Sequence, residues 1–144
     1  MVHRRLLHRL GSGETTAAML LSTYVNSNWT PATVAKTYYA DPAYCAGSGV
    51  TAMNTVLTAN GFQMVKGLTT SQLDAYIAAG VPAYAELSIS QPNGKAPVIQ
   101  NTVIVGKTSD GQYIYNDSYY GSGTTLSGVS STMIGYEVLI PPAL

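Results

Sequence analysis

The sequence predicts an α+β domain with helices in the first part of the chain and antiparallel strands in the second. Apolar residues recur at helical spacing as far as residue 79, and after Gly80 they alternate with more polar ones. The turn sequence Ser109-Asp110-Gly111 then separates two short apolar segments, as in a β-hairpin. Because helices and strands that are segregated along a chain form separate layers, we expect a helical lobe packed on an antiparallel sheet.

Four helices are expected, at residues 13–25, 31–39, 50–59 and 71–79. The first is almost wholly apolar or small, which predicts deep burial. The second begins at Thr30-Pro31, because Thr caps a helix and Pro suits the first helical position. For the fourth, Thr69 and Gln72 form a capping box and Gly80 ends the helix.

Four strands are expected, at residues 81–89, 102–105, 112–115 and 136–140. The first should have one buried and one exposed face, because apolar side chains alternate with others along it: Val81, Ala83, Ala85, Leu87 and Ile89 against Pro82, Tyr84, Glu86 and Ser88. Turns are predicted at residues 91–94 and 109–111. A loop is predicted at residues 121–123, where two glycines flank a serine.

The 144 residues fit a basic arm at residues 1–10 followed by a single domain at 11–144. Arg4, Arg5 and Arg9 carry three of the seven basic groups, which leaves four basic against seven acidic residues from Gly11 onward. Since a body with a net negative charge offers no electrostatic surface for nucleic acid, nucleic acid is not an expected partner.

Composition narrows the expected compartment and the expected chemistry. Charged residues make up 10% of the chain and there are eleven tyrosines, which favours an extracellular or virion-associated protein and leaves oligomer formation open. The single cysteine, Cys45, excludes an intramolecular disulfide and a cysteine-based metal cluster, and no metal or other cofactor is expected. No apolar run approaches the ~18–20 residues that cross a bilayer, so no transmembrane segment is expected.

A short loop, Gly11-Ser12-Gly13, leads directly into the first helix. Ser12 is expected at the first turn, where unpaired N–H groups and the helix dipole concentrate positive potential. A thiol is activated in such a place, but this position holds serine. The other interpretation of Ser12 is an ordinary N-cap.

Four segments of the chain, in order, resemble the motifs of the C39-type (bacteriocin-processing-like) cysteine peptidases, which have a papain-like fold. They are Ser12-Gly13-Glu14-Thr15-Thr16-Ala17-Ala18-Met19, Ala78-Ala79-Gly80-Val81-Pro82-Ala83, Gln100-Asn101-Thr102-Val103-Ile104-Val105-Gly106 and Asn116-Asp117-Ser118-Tyr119-Tyr120-Gly121. The resemblance covers residues 11–140. It implies a papain-like fold, with Ser12 in the place of the nucleophile, Gln100 or Asn101 in that of the histidine, and Asp117 in that of the orienting residue. Asn116, next to Asp117, is an alternative site residue.

This resemblance also implies that the catalytic positions are degenerate. Serine needs a base more than a thiol does, and a carboxamide does not titrate near neutral pH, so Gln100 or Asn101 cannot take its proton. We therefore expect a module that recognises a peptide or protein, with a cell-wall peptide as one candidate. Gly13, Tyr119 and Tyr120 are the residues expected to line its cleft.

Two other functions stay open at this point. One is an active peptidase or peptidoglycan amidase that uses Ser12 or Cys45, although no histidine follows Cys45 and a buried, unreactive thiol explains it as well. The other is a structural subunit of a phage or extracellular assembly. Asp117 likewise has a simpler interpretation, as a side chain that closes the turn after its strand.

Overall fold

The computed structural model describes residues 15–38, 50–117 and 119–142 of the chain. Within them the architecture is mixed α+β, with four helices and a six-stranded antiparallel sheet. Residues 15–24 form helix α1, which is followed by α2 (Pro31–Tyr38), α3 (Val50–Ala59) and α4 (Thr70–Ala78). The α+β class and the four helices are therefore as predicted, while the papain-like fold stays a prediction. The described bounds of α2, α3 and α4 differ from the predicted ones by one residue at most.

The strands are β1 (Gln63–Val65), β2 (Ala83–Ile89), β3 (Val98–Lys107), β4 (Tyr113–Asp117), β5 (Gly121–Thr124) and β6 (Ser131–Ile140). Their order across the sheet is β1-β6-β2-β3-β4-β5, so β2 lies between β6 and β3. The hairpin between β3 and β4 turns at Gly111, whose φ of 93° suits glycine. Its closing bond runs from the Thr108 N–H to the Gln112 carbonyl at 2.7 Å.

Contacts divide the chain into two compact units. The first comprises Met1–Gln63 and Pro141–Leu144, and the second comprises Met64–Ile140. In the first unit, Leu21 of α1, Val34 of α2 and Leu57 of α3 are fully buried. The basic arm at residues 1–10 lies outside the described residues, and the prediction of a single domain at 11–144 stays a prediction.

In the second unit, α4 covers one face of the sheet. The capping box at its start is confirmed: the Gln72 N–H donates to Thr69 Oγ1 at 3.2 Å, and the Thr69 N–H donates to Gln72 Oε1 at 2.9 Å. Leu73 and Ile77 of this helix share a buried cluster with side chains of the strands: Ala83, Ala85, Leu87, Ile89, Ile104, Tyr115 and Val138. We call the surface of the sheet that carries this cluster the α4 face.

The loop predicted at residues 121–123 is part of strand β5 in the structure. Gly121 and Gly123 have φ values of 103° and 66°, and this glycine-rich segment lacks the side-chain alternation that identifies a strand in sequence. Pairing with β4, through Tyr115 with Thr124 and Asp117 with Gly121, makes it a strand. β1 was not predicted at all, and β3 and β6 are longer than predicted, because pairing in the sheet extends them beyond their apolar segments.

The prediction that one face of β2 is exposed is also wrong. Tyr84 is only 3% exposed, and its neighbours across the sheet, Val103 and Glu137, are buried as well. A strand with a partner on each side sits at the centre of its sheet, and β2 is buried on both faces along much of its length. Alternation alone could not show this, because tyrosine is compatible with either side.

Candidate functional site

Gln100 and Asn101 are adjacent on β3. Because successive side chains of a strand alternate between the two faces, these two lie on opposite faces of the sheet. Gln100 is registered opposite Leu87 of β2, so it belongs to the α4 face. Asn101 is registered opposite Glu86, so it belongs to the other face. The two candidates for the position of the histidine therefore lie in different surroundings.

Gln100 is brought together with Asp117, which ends β4. The Gln100 Nε2–H donates to Asp117 Oδ1 at 3.0 Å. The same oxygen accepts the backbone N–H groups of Tyr119 at 2.8 Å and Tyr120 at 2.9 Å. One carboxylate oxygen thus closes the turn after β4, as in the simpler interpretation of Asp117, and also fixes the side chain of Gln100 beside it.

Only one oxygen of Asp117 is used in this way. The residue is 5% exposed, and its Oδ2 is buried without a hydrogen-bond partner among the described residues. Burying a carboxylate is costly unless hydrogen bonds compensate, and three N–H donors on Oδ1 supply that compensation here.

Asn101 and Asn116 belong to the face of the sheet opposite α4. Tyr84 Oη donates to Asn101 Oδ1 at 2.6 Å and lies 3.3 Å from Glu86 Oε2. Burial, and then the charge of Glu86, raise the pKa of the Tyr84 hydroxyl above the ordinary tyrosine value, which is itself well above neutral pH. Asn116 Oδ1 accepts the Gly123 N–H at 2.9 Å, so this side chain supports β5.

A cleft of about 230 Å³ opens beside the Gln100–Asp117 pair. Its walls combine apolar and carboxamide groups, from Ile89, Gln91, Val98, Gln100, Tyr119 and Tyr120. The rings of Tyr119 and Tyr120 meet edge to face with centroids 4.9 Å apart, and Tyr119 is 80% exposed. None of these six lining side chains is a carboxylate, a histidine or a basic group, so the chemistry they offer is hydrogen bonding and apolar contact.

Next to this cleft, one edge of β3 has no paired strand among the described residues. On one side β3 pairs with β2 along Val98 to Ile104, but on the other side its pairing with β4 begins only at Val103. Val98 and Ile99 are 47% and 51% exposed. The first residues of β3 therefore present a strand edge to which another extended segment can add.

Sequence reasoning named Gln100, Tyr119 and Tyr120 but missed Ile89, Gln91 and Val98. The missed residues lie at the end of β2, in the turn and at the start of β3, and only the pairing of the two strands brings them together. Ser12, Gly13 and Cys45, which were also predicted as site residues, lie outside the described residues.

Neither a metal centre nor a membrane crossing is found in the described ranges. No group of three or more histidine, cysteine, aspartate or glutamate side chains within residues 15–38, 50–117 and 119–142 could hold a metal ion. The helices in these ranges fall short of the length and hydropathy that a membrane crossing requires. Comparisons with protein-family models, curated proteins and solved structures find no match for this chain.

Proposed function

We propose that the chain is a catalytically degenerate, papain-like domain of the C39-like type that recognises an extended, uncharged peptide in the cleft beside Gln100. The observation that carries the proposal is an edge of β3 with no paired strand in the described part of the chain, next to a cleft whose walls include two carboxamides and two tyrosines.

The pairing of Gln100 with Asp117 favours recognition over catalysis. In the resemblance, these positions correspond to a histidine and the residue that orients it. The carboxamide of Gln100 is oriented by Asp117 in the same sense, but it cannot accept a proton at neutral pH. Its carbonyl oxygen and second N–H make no hydrogen bond to another described residue, so they are available to a ligand.

An extended peptide fits both parts of the site. Its backbone can pair with the free edge at residues 98–102, as a strand adds to the edge of a sheet. Its amide groups match the carboxamides of Gln91 and Gln100, each of which offers both a donor and an acceptor. Tyr119 and Tyr120 offer apolar area at a low entropic cost. Because the walls carry no formal charge, a charged side chain would lose hydration without gaining a partner.

The test uses acetylated, amidated Ala-Val-Tyr-Val-Ala and two counterparts with Asp or Lys at the centre. Each is titrated into the ¹⁵N-labelled full chain, and backbone amide shifts are followed by NMR. We expect saturable shifts concentrated at residues 98–102 and 119–121, strongest with the neutral peptide. The peptide should be recovered intact from the sample, as mass spectrometry would show.

Two substitutions distinguish binding in the cleft from nonspecific binding to apolar surface. Tyr119→Ser removes an exposed ring from the cleft and should weaken binding about tenfold, which corresponds to about 1.4 kcal/mol. Ile134→Ser is the matched control, because Ile134 is 53% exposed on β6 and does not line the cleft. Equal effects of the two substitutions, or shifts spread over the whole surface, would refute the proposed site. Cleavage of the peptide that Ser12→Ala or Cys45→Ala abolishes would show an enzyme instead.

A further inference from the structure

A second cleft lies in the first unit of the chain and shares no residue with the cleft beside Gln100. It has a volume of about 270 Å³ and is lined by Asn26, Asn28, Trp29, Thr33 and Thr37. These side chains are two carboxamides, two hydroxyls and one indole. None of them carries a charge.

The polar rim of this cleft is built by the loop between α1 and α2 and by α2 itself. The backbone N–H of Asn28 donates to Asn26 Oδ1 at 2.8 Å, and the backbone N–H of Trp29 donates to the backbone carbonyl of Asn26 at 3.2 Å. These bonds fix the loop while leaving the amide N–H groups of both asparagine side chains unused by it. Thr33 and Thr37 are four positions apart on α2, so their hydroxyls lie on one side of the helix. The Thr33 hydroxyl already donates to the Thr30 carbonyl at 2.9 Å and accepts the Thr30 N–H at 2.7 Å, so Thr37 carries the hydroxyl that can donate to a ligand.

The indole ring of Trp29 is held in position by its contact with Tyr38. Its ring stacks on Tyr38, with centroids 6.0 Å apart and planes 25° from parallel. Tyr38 Oη in turn accepts a hydrogen bond from Asn60 Nδ2 at 2.8 Å, and Asn60 also donates to the Val56 carbonyl at 2.8 Å. The orientation of the indole is therefore set by Tyr38 and by Asn60, the residue that follows α3, so a ligand need not order the ring itself.

From this arrangement we infer that the cleft binds a neutral sugar ring. A pyranose presents a face of C–H groups with partial positive charge, which packs on the negative face of an aromatic ring. Its hydroxyls lie around the edge and pair with carboxamides and hydroxyls, each of which can donate and accept.

Other ligand classes fit less well. An apolar ligand would bury the carboxamides of Asn26 and Asn28 and the Thr37 hydroxyl without partners, which is unfavourable. A charged ligand would find no opposite charge among the lining side chains. A ring with an apolar face and a hydroxylated edge satisfies both kinds of surface in the cleft.

The protein carries its own reporter for the test, because Trp29 is the single tryptophan of the chain. Its fluorescence, excited where tyrosine does not absorb, is followed while the full chain is titrated with cellotetraose, with N-acetylchitotetraose and with methyl β-glucoside. Sorbitol, an open-chain polyol, and tetra-alanine are added in parallel. We expect a saturable change with at least one of the three sugars and none with sorbitol or tetra-alanine.

The three sugars distinguish a single ring from a polymer as the natural source. Equal affinity for the monosaccharide derivative and the tetrasaccharides indicates a site for one ring, and tighter binding of a tetrasaccharide indicates a chain of rings. Either result supports the inference. Failure of all three sugars to saturate the signal would overturn it, and so would an equal response to tetra-alanine, which would indicate a peptide.

Substitutions on the rim locate the binding. Thr37→Val and Asn28→Ala each remove one hydrogen-bonding group from an exposed position and should weaken sugar binding about five- to tenfold. Thr23→Val is the matched control, because Thr23 is an exposed helical threonine on α1 that does not line the cleft. Affinity that is unchanged in Thr37→Val and Asn28→Ala would overturn the site even if the sugar binds.

Discussion

One side-chain oxygen of Asp117 stabilises both a turn and a neighbouring side chain. Its Oδ1 accepts the two N–H groups that close the turn after β4 and the N–H that fixes Gln100 at the cleft. Asp117 was the residue that the resemblance placed at the orienting position, and its neighbour Asn116, an alternative site residue, supports β5. Which of two adjacent polar residues lies on the same face as Gln100 is decided by the two-residue period of the strand.

These hydrogen bonds predict that the acceptor oxygen of Asp117 contributes more to the stability of the fold than its negative charge does. Asp117→Ala leaves three partly buried N–H donors without their acceptor and should lower the free energy of unfolding by about 2 kcal/mol. Asp117→Asn keeps one carbonyl oxygen and replaces the Oδ2 position by an NH₂ group, and it should cost less than about 1 kcal/mol. Urea denaturation of both variants measures the difference. Equal destabilisation by Asn and Ala would contradict the hydrogen bonds assigned to Oδ1.

Among the secondary-structure elements, helix α4 is tied to the β3–β4 hairpin by a polar contact as well as by its apolar face. Asp74 on α4 accepts from Lys107 Nζ at 2.8 Å and from Tyr113 Oη at 2.7 Å. Lys107 also lies 5.4 Å from the centroid of the Tyr113 ring. The hydrogen bond from Lys107, followed by that from Tyr113, lowers the pKa of the Asp74 carboxyl, while burial and the hydrogen bond to Asp74 raise the pKa of the Tyr113 hydroxyl.

This contact predicts a stability difference that depends on pH. Because the pKa of Asp74 is lower in the folded chain, its contribution is fully present above the ordinary carboxyl pKa of 3.8 and is lost as the pH falls through the folded value. Asp74→Asn should therefore cost about 0.5–1 kcal/mol at pH 7, in keeping with a partly exposed pair. The cost should shrink below pH 3.8.

Unfolding of the wild type and of Asp74→Asn by urea at several pH values measures this dependence. Lys107→Met and the double variant complete a double-mutant cycle, which isolates the pair from other effects of each substitution. An Asp74→Asn cost that stays constant with pH, or a coupling energy of zero at pH 7, would contradict a stabilising role for the contact.

At the scale of the whole molecule, the chain is divided into two compact units, and the centre of the second is β2. Leu87 of β2 is 1% exposed and belongs to the cluster beneath α4. The cleft beside Gln100 begins where β2 ends, at Ile89, so the packing of this strand also positions the cleft.

Truncation of Leu87 should therefore be among the costly changes in the second unit. Leu87→Ala removes buried methyl groups and leaves a cavity, and it should lower the free energy of unfolding by about 3 kcal/mol. Ile134→Ala, at an exposed position of β6, should cost less than about 1 kcal/mol. Thermal and urea unfolding compare the two variants, and similar losses of stability would mean that Leu87 is not in a tightly packed core.

The sequence by itself determined the four helices and the capping box of α4, but not the order of elements in full, because β1 precedes α4. These features depend on residues that are at most four positions apart, because caps and helical periodicity are local. The hairpin at Ser109-Asp110-Gly111 was determined in the same way, since its turn chemistry lies within a few residues.

Only the tertiary structure decided β5, the burial of Tyr84 and the cleft residues Ile89, Gln91 and Val98. Each depends on which strands pair and in which register, and the glycine-rich segment of β5 carries no pattern that would announce its partner. The bond between Gln100 and Asp117 joins residues 17 positions apart on two strands. It could be suggested by a resemblance, but the pleat and register of β3 and β4 are what bring the two side chains to the same face, because a shift of one residue would have brought Asn101 there instead.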